Sequence, residues 1–165
     1  MSSLLRTPRP APPIRAAVCL ASFSLFSALY IAAPARAAKL DESTPEALAQ
    51  LELRASHASP REQPFLYTQL VHAMTEQAGR QIADGETQQA ADTLKRINQF
   101  AHLIHANLTR DAKRLKDAEE LMHNTTFRLG QFLHLVPADD QATVQDTLKQ
   151  LNQINDELLT QVFQH

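Results

Sequence analysis

The residues of this chain that could hold a cofactor are two histidines and two methionines within predicted helices. His102 and His105 lie about one helical turn apart, and Met74 and Met122 fall on predicted apolar stripes. A methionine and a histidine on facing helices of a bundle can bind haem iron without a covalent link. Because a methionine on an apolar stripe is normally a core residue, core packing is the preferred interpretation, and we predict no bound cofactor.

A possible metal-binding unit starts at Glu120 and ends at His123 with the spacing Glu-x-x-His. Di-iron helical bundles need this unit twice, together with two further inward-facing acids. Here we find it once, and Met122 rather than Glu120 continues the apolar stripe. We therefore predict no metal site.

The sequence contains no glycine-rich phosphate loop, no nucleophile elbow and no pair of residues whose spacing indicates catalysis. Cys19 is the only cysteine and lies in an N-terminal apolar run. The chain beyond that run can therefore form no disulfide, thiolate metal site or covalent haem link. We predict that the protein is not an enzyme.

A basic run extends from Arg110 to Lys116 and also contains Lys113 and Arg114, and several acids follow it directly. Alternating charges of this kind are typical of a solvated helix face with surface ion pairs. We therefore expect a salt-bridged helix surface here rather than a site for an anion.

The first 37 residues have the three parts of a secretory signal. Residues 1–15 carry three arginines and no acid, residues 16–33 are almost entirely apolar, and Ala35-Arg36-Ala37 provides small residues for a peptidase. We predict a cleaved signal peptide over 1–37 and one domain over 38–165, exported to a bacterial periplasm or secreted. The alternative is an uncleaved membrane anchor.

The predicted domain is acidic. All 18 acids follow Lys39, and four of the 16 basic residues lie within 1–37, which leaves a net charge of −6. This charge disfavours nucleic acid or anionic lipid as a partner. A membrane contact is expected only if the N-terminal segment stays attached.

The composition and the periodicity of apolar residues predict helices over 45–57, 62–84, 87–135 and 138–163. Thr44 and Pro45 suit a helix start, and Gly85 suits a helix end. One question concerns the segment around Asn107, where the third helix either continues or breaks.

We predict a continuous third helix, because its stripe keeps phase through Leu108 and Ala112 and no glycine or proline near Asn107 marks a turn. The expected fold is all-α, with extended antiparallel hairpins built on one long central helix. The alternative is an up-down-up-down four-helix bundle, which follows if the helix breaks.

The sequence analysis leads to two functional hypotheses. A long helix only partly covered by shorter neighbours keeps an apolar surface for a second copy or a partner helix. We therefore expect a helical interaction or scaffold module. The alternative is a periplasmic helical-bundle carrier of haem or metal, which would use the methionines and histidines named above.

Overall fold

The computed structural model describes residues 43–164, which form five helices and no strand. The predicted signal peptide over 1–37 lies outside these described residues. No helix within 43–164 combines the length and the apolar character that a membrane crossing requires. The all-α fold class is confirmed. The helices are α1 (Pro45–His57), α2 (Gln63–Ala83), α3 (Thr87–Asn107), α4 (Leu115–Phe132) and α5 (Gln141–Phe163).

Short-range signals in the sequence correctly predicted several helix ends. The side chain of Thr44 accepts a hydrogen bond from the amide of Ala47 at 3.3 Å, and Pro45 occupies the first turn of α1. Gly85 follows α2 with a φ of 77°, the left-handed conformation that glycine adopts without strain. The bounds of α1 match the prediction, and those of α2 differ by one residue at each end.

The predicted continuous helix over 87–135 is wrong. The chain leaves the helix at Leu108, whose ψ is 102°, and re-enters it after Arg114, which has a φ of 58°. The amide of Lys113 instead donates to the carbonyl of Arg61 at 2.7 Å. The prediction failed because a left-handed arginine, rather than glycine or proline, ends the turn, and long-range contacts of the connection stabilise it.

The apolar stripe itself was predicted correctly on both sides of this break. Ile104 and Leu115 are buried, and Leu108 and Ala112 pack partly buried against the core. The connection over 108–114 thus keeps the stripe facing inward although the backbone changes direction. The fully buried side chains of the core include Leu70, Met74, Leu94, Ile97, Ile104, Met122, Leu129, Leu151 and Leu158.

The four longer helices form a bundle close to the alternative prediction. Around the bundle the order is α2, α3, α5, α4, so α2 and α5 occupy one diagonal and α3 and α4 the other. Helices that follow each other along the chain run in opposite directions. The connection over 108–114 crosses between diagonal positions of the bundle, so α3 and α4 are not neighbours. α1 packs against α2, and an ion pair of 2.8 Å between Glu52 and Arg96 joins α1 to α3.

The hairpin of α4 and α5 stacks in parallel register on the hairpin of α2 and α3. Arg128 contacts Glu76 with two hydrogen bonds of 2.9 and 3.0 Å, 52 positions earlier in the chain. His105 and Glu157 are also 52 positions apart, with their side chains 2.6 Å from each other. α4 therefore lies beside α2 and α5 beside α3, and residues about 52 positions apart in the chain lie at the same height along the bundle.

Candidate functional site

The four candidate cofactor ligands do not converge on one site. Met74 and Met122 are 1% and 0% exposed and pack in the core. His102 and His105 lie on the exposed side of α3, where Nδ1 of His105 pairs with the carboxylate of Glu157. The methionines are thus inside the bundle and the histidines outside it, so the haem or metal carrier has no shared ligand set in residues 43–164.

The predicted Glu-x-x-His unit also lies on the surface. Glu120 and His123 are both exposed on α4, whereas Met122 between them is fully buried. Within the described residues, no group of three or more histidine, cysteine or acidic side chains is placed to hold a metal ion. The unit therefore remains a sequence pattern without further ligands around it.

A cleft of about 760 Å³ opens where three separate segments of the chain meet. The end of α1 contributes Arg54, the first turns of α2 contribute Phe65 and Leu66, and the connection before α4 contributes Lys113 and Arg114. Phe65 is 6% exposed and Leu66 is partly buried, so the floor of the cleft is apolar. The cleft has the volume of a typical small-molecule site.

Two of the cleft's cations are already engaged. The Arg114 guanidinium lies 3.7 Å from the centroid of the Phe65 ring and also pairs with Asp117 at 2.7 Å. The ammonium of Lys113 lies 2.9 Å from the carboxylate of Glu62. Lys113 and Arg114 are exposed and salt-bridged as predicted, but they lie in the connection before α4 rather than on a helix face, and both line the cleft.

Arg54 differs from these two cations. Its guanidinium donates to the side-chain oxygen of Gln69 at 3.3 Å. No carboxylate within residues 43–164 lies within ion-pair distance of it. Its charge is therefore the one least neutralised by the surroundings of the cleft.

Glu62 is the single carboxylate of the cleft, and it stays ionised. The hydrogen bond from Lys113, followed by one from the Ser59 hydroxyl, holds the pKa of Glu62 below its ordinary value. The Ser59 hydroxyl donates to the Glu62 carboxylate at 2.9 Å.

A second feature is the outer face of α4 and α5, which we define by Phe127, Leu159 and Phe163. Phe127 lies about 200° around α4 from Thr125, which faces α2 through His72. Leu159 lies about 200° around α5 from Glu157, which faces α3. The three side chains are 64%, 38% and 81% exposed. This face therefore points away from the first hairpin.

Comparisons of the chain with protein-family models, with curated proteins and with solved structures found no match. The protein is therefore described by its architecture, which is an all-helical bundle of two stacked hairpins flanked by one short helix. Sequence reasoning missed both the cleft and the outer face of α4 and α5. Only the basic run from Arg110 onwards gave a signal for the cleft, and Arg54 lies far from it in the chain.

Proposed function

We propose that this protein is an exported, non-enzymatic helical interaction module whose outer face of α4 and α5 pairs with a second copy. The observation that carries the proposal is the exposure of Phe127 and Phe163 on one face of a packed hairpin. Large exposed apolar side chains grouped on one face are typical of interaction sites. Aromatic residues are also the anchors that contribute most to protein interfaces.

The packing within the bundle supports a helical partner. α4 and α5 already contact one helical hairpin through their inner face, with parallel helices in register. Their outer face presents the same helical spacing to the other side, so a second hairpin can stack on it. A second copy supplies such a hairpin, and two-fold symmetry lets each Phe127 meet the same face of its partner.

Export is the second part of the proposal, and it rests on the N-terminal sequence. The positive start, the apolar run over 16–33 and Ala35-Arg36-Ala37 support cleavage after residue 37. N-terminal sequencing of the protein recovered from its native host should find Ala38 or a residue within two positions of it. An intact N-terminus in the membrane fraction would establish an anchor instead.

The pairing is tested by light scattering coupled to size exclusion, over a range of protein concentrations. We expect the native chain to shift from monomer to dimer as the concentration rises, and Phe127→Asp to stay monomeric. The matched control is Leu53→Asp, because Leu53 is 61% exposed but lies on α1. A monomer at all concentrations, or equal effects of both variants, would contradict the proposed face.

A further inference from the structure

The cleft between α1, the start of α2 and the connection before α4 combines positive charge with an apolar floor. Three cations line it, at Arg54, Lys113 and Arg114, against the single carboxylate of Glu62. The chain as a whole has the opposite sign, with a formal net charge of −2. The cleft is therefore a local reversal of charge, which attracts an anion to this position on the surface.

The ion pairs and hydrogen bonds that the three cations already make indicate how many negative charges a ligand of the cleft can carry. Lys113 is paired with Glu62, and Arg114 is held by Asp117 and by the ring of Phe65. Arg54 is left with an amide oxygen as its only hydrogen-bond partner in residues 43–164. One guanidinium with free donors matches one carboxylate, which it can bind through two parallel hydrogen bonds.

The floor of the cleft determines the rest of the ligand. Leu66 and Ala58 are partly exposed and contribute apolar surface beside the cations, whereas the Phe65 ring is already covered by Arg114. A small hydrophilic anion would leave this surface in contact with water, whereas an acyl chain or an apolar side chain would cover it. We infer that the cleft binds a molecule that carries one carboxylate next to an apolar group, with the carboxylate on Arg54 and the apolar group over Leu66 and Ala58.

This chemistry has two common sources, which are a free fatty acid and the C-terminus of a peptide with an apolar last residue. The probes for the first are octanoate and its uncharged analogue octanamide. The probes for the second are N-acetyl-leucyl-phenylalanine with a free carboxylate and the same dipeptide as its C-terminal amide. Each pair differs only in the charged group, so the carboxylate contribution is measured directly.

The experiment is a titration of the full chain with each probe, followed by amide chemical shifts in nuclear magnetic resonance spectra. We expect at least one of the two carboxylates to bind, with shifts at Arg54, Leu66 and Arg114, and its uncharged analogue to bind about tenfold more weakly. If octanoate binds more tightly than the dipeptide carboxylate, the ligand is a fatty acid; if the dipeptide binds more tightly, the ligand is the C-terminus of a peptide. If neither carboxylate binds, or if charged and uncharged forms bind equally, the inference is overturned.

Two variants and a control locate the carboxylate. Arg54→Gln should weaken binding about tenfold, because it removes the cation with free donors. Glu62→Gln should tighten binding about threefold, because it removes the competing carboxylate and frees Lys113. A gain in affinity cannot arise from misfolding. The control is Arg110→Gln, because Arg110 is exposed in the same connection and does not line the cleft. An unchanged affinity in Arg54→Gln would contradict the proposed position.

Discussion

The guanidinium of Arg114 lies 3.7 Å from the centroid of the Phe65 ring, directly over it. Arg114 also has a left-handed backbone, with a φ of 58° and a ψ of 34°. That conformation costs a residue with a side chain about 1–2 kcal/mol. The cation–π contact with a buried ring offsets about 1 kcal/mol or more of this cost. One side chain thus fixes both the start of α4 and its position beside α2.

Two substitutions at Arg114 separate the backbone cost from the contact. Arg114→Ala keeps the left-handed strain and loses the contact with Phe65, so we expect the free energy of unfolding to fall by about 1–2 kcal/mol. Arg114→Gly loses the same contact but relieves the strain, so it should be less destabilising by about 1 kcal/mol. Urea denaturation of both variants measures the difference. Equal stabilities would show that residue 114 is not left-handed in solution.

The connection over 108–114 should accept a proline that a helix would not. Leu108 is already extended, with a ψ of 102°, which is the conformation that a following proline requires. Thr109→Pro should therefore cost less than about 1 kcal/mol. Gln99→Pro is the matched control, since residue 99 is exposed in the middle of α3, and it should cost about 3 kcal/mol or more. Similar thermal midpoints for the two variants would contradict the break over 108–114 and would support a continuous helix.

Two glycines allow a direct test of how closely α2 and α4 approach. A Cβ atom at Gly79 would clash with the ring of Phe132, whereas one at Gly130 would lie 4.0 Å from a methyl group of Leu148. Gly79→Ala should therefore destabilise the protein by about 1–3 kcal/mol, because a well-packed contact must be displaced.

The matched substitution Gly130→Ala should stabilise the protein by about 0.5–1 kcal/mol, the usual gain of alanine over glycine within a helix. Both values come from the midpoints of chemical denaturation. A second change, Phe132→Leu, should reduce the cost of Gly79→Ala, because the smaller side chain no longer meets the added methyl group. Independent effects of the two changes would contradict the close approach.

The ion pair between Glu76 and Arg128 makes stability depend on pH on the acid side. Hydrogen bonds from Arg128 lower the pKa of Glu76 from its ordinary value of 4.5, although partial burial acts in the other direction. As the pH falls, the unfolded chain takes up this proton before the folded protein does. The stabilisation is therefore complete well above pH 4.5 and is lost as the pH falls through the lower folded-state value.

We expect Glu76→Gln to be about 1 kcal/mol less stable than the native protein at pH 7, since the pair is bidentate but partly exposed. The difference should shrink steadily below about pH 4.5 and vanish at lower pH. Glu120→Gln is the control, because Glu120 is exposed and has no ion pair within residues 43–164. Parallel stability curves for the native protein and Glu76→Gln would exclude this origin of the pH dependence.

The parts of the fold that depend on local chemistry were predictable from the sequence. Thr44 and Pro45 start α1, Gly85 ends the turn after α2, and the period of the apolar residues located the core. The break before Arg114 was not predictable in this way, because its stabilising partner Phe65 is 49 positions earlier in the chain. A periodic stripe cannot distinguish a continuous helix from two helices whose connection keeps the stripe in phase.

The candidate site was less predictable than the fold. The basic run marked Lys113 and Arg114, but only the packing of α1 beside α2 brings Arg54 to the same cleft. Met122 faces the core, as its place on the apolar stripe indicated, while His105 faces outward, so these two side chains do not face a common site.

The stacking of one hairpin on the other determines which helices detach first when the bundle partly unfolds. Each hairpin closes locally, whereas contacts between hairpins, such as Glu76 with Arg128, require a loop of about 50 residues to close. α2 contacts three other helices, and α5 contacts two and keeps one face open. The amide protons of α5 should therefore exchange with solvent through a partial opening that detaches α4 and α5. Those in the middle of α2 should exchange only when the whole bundle unfolds.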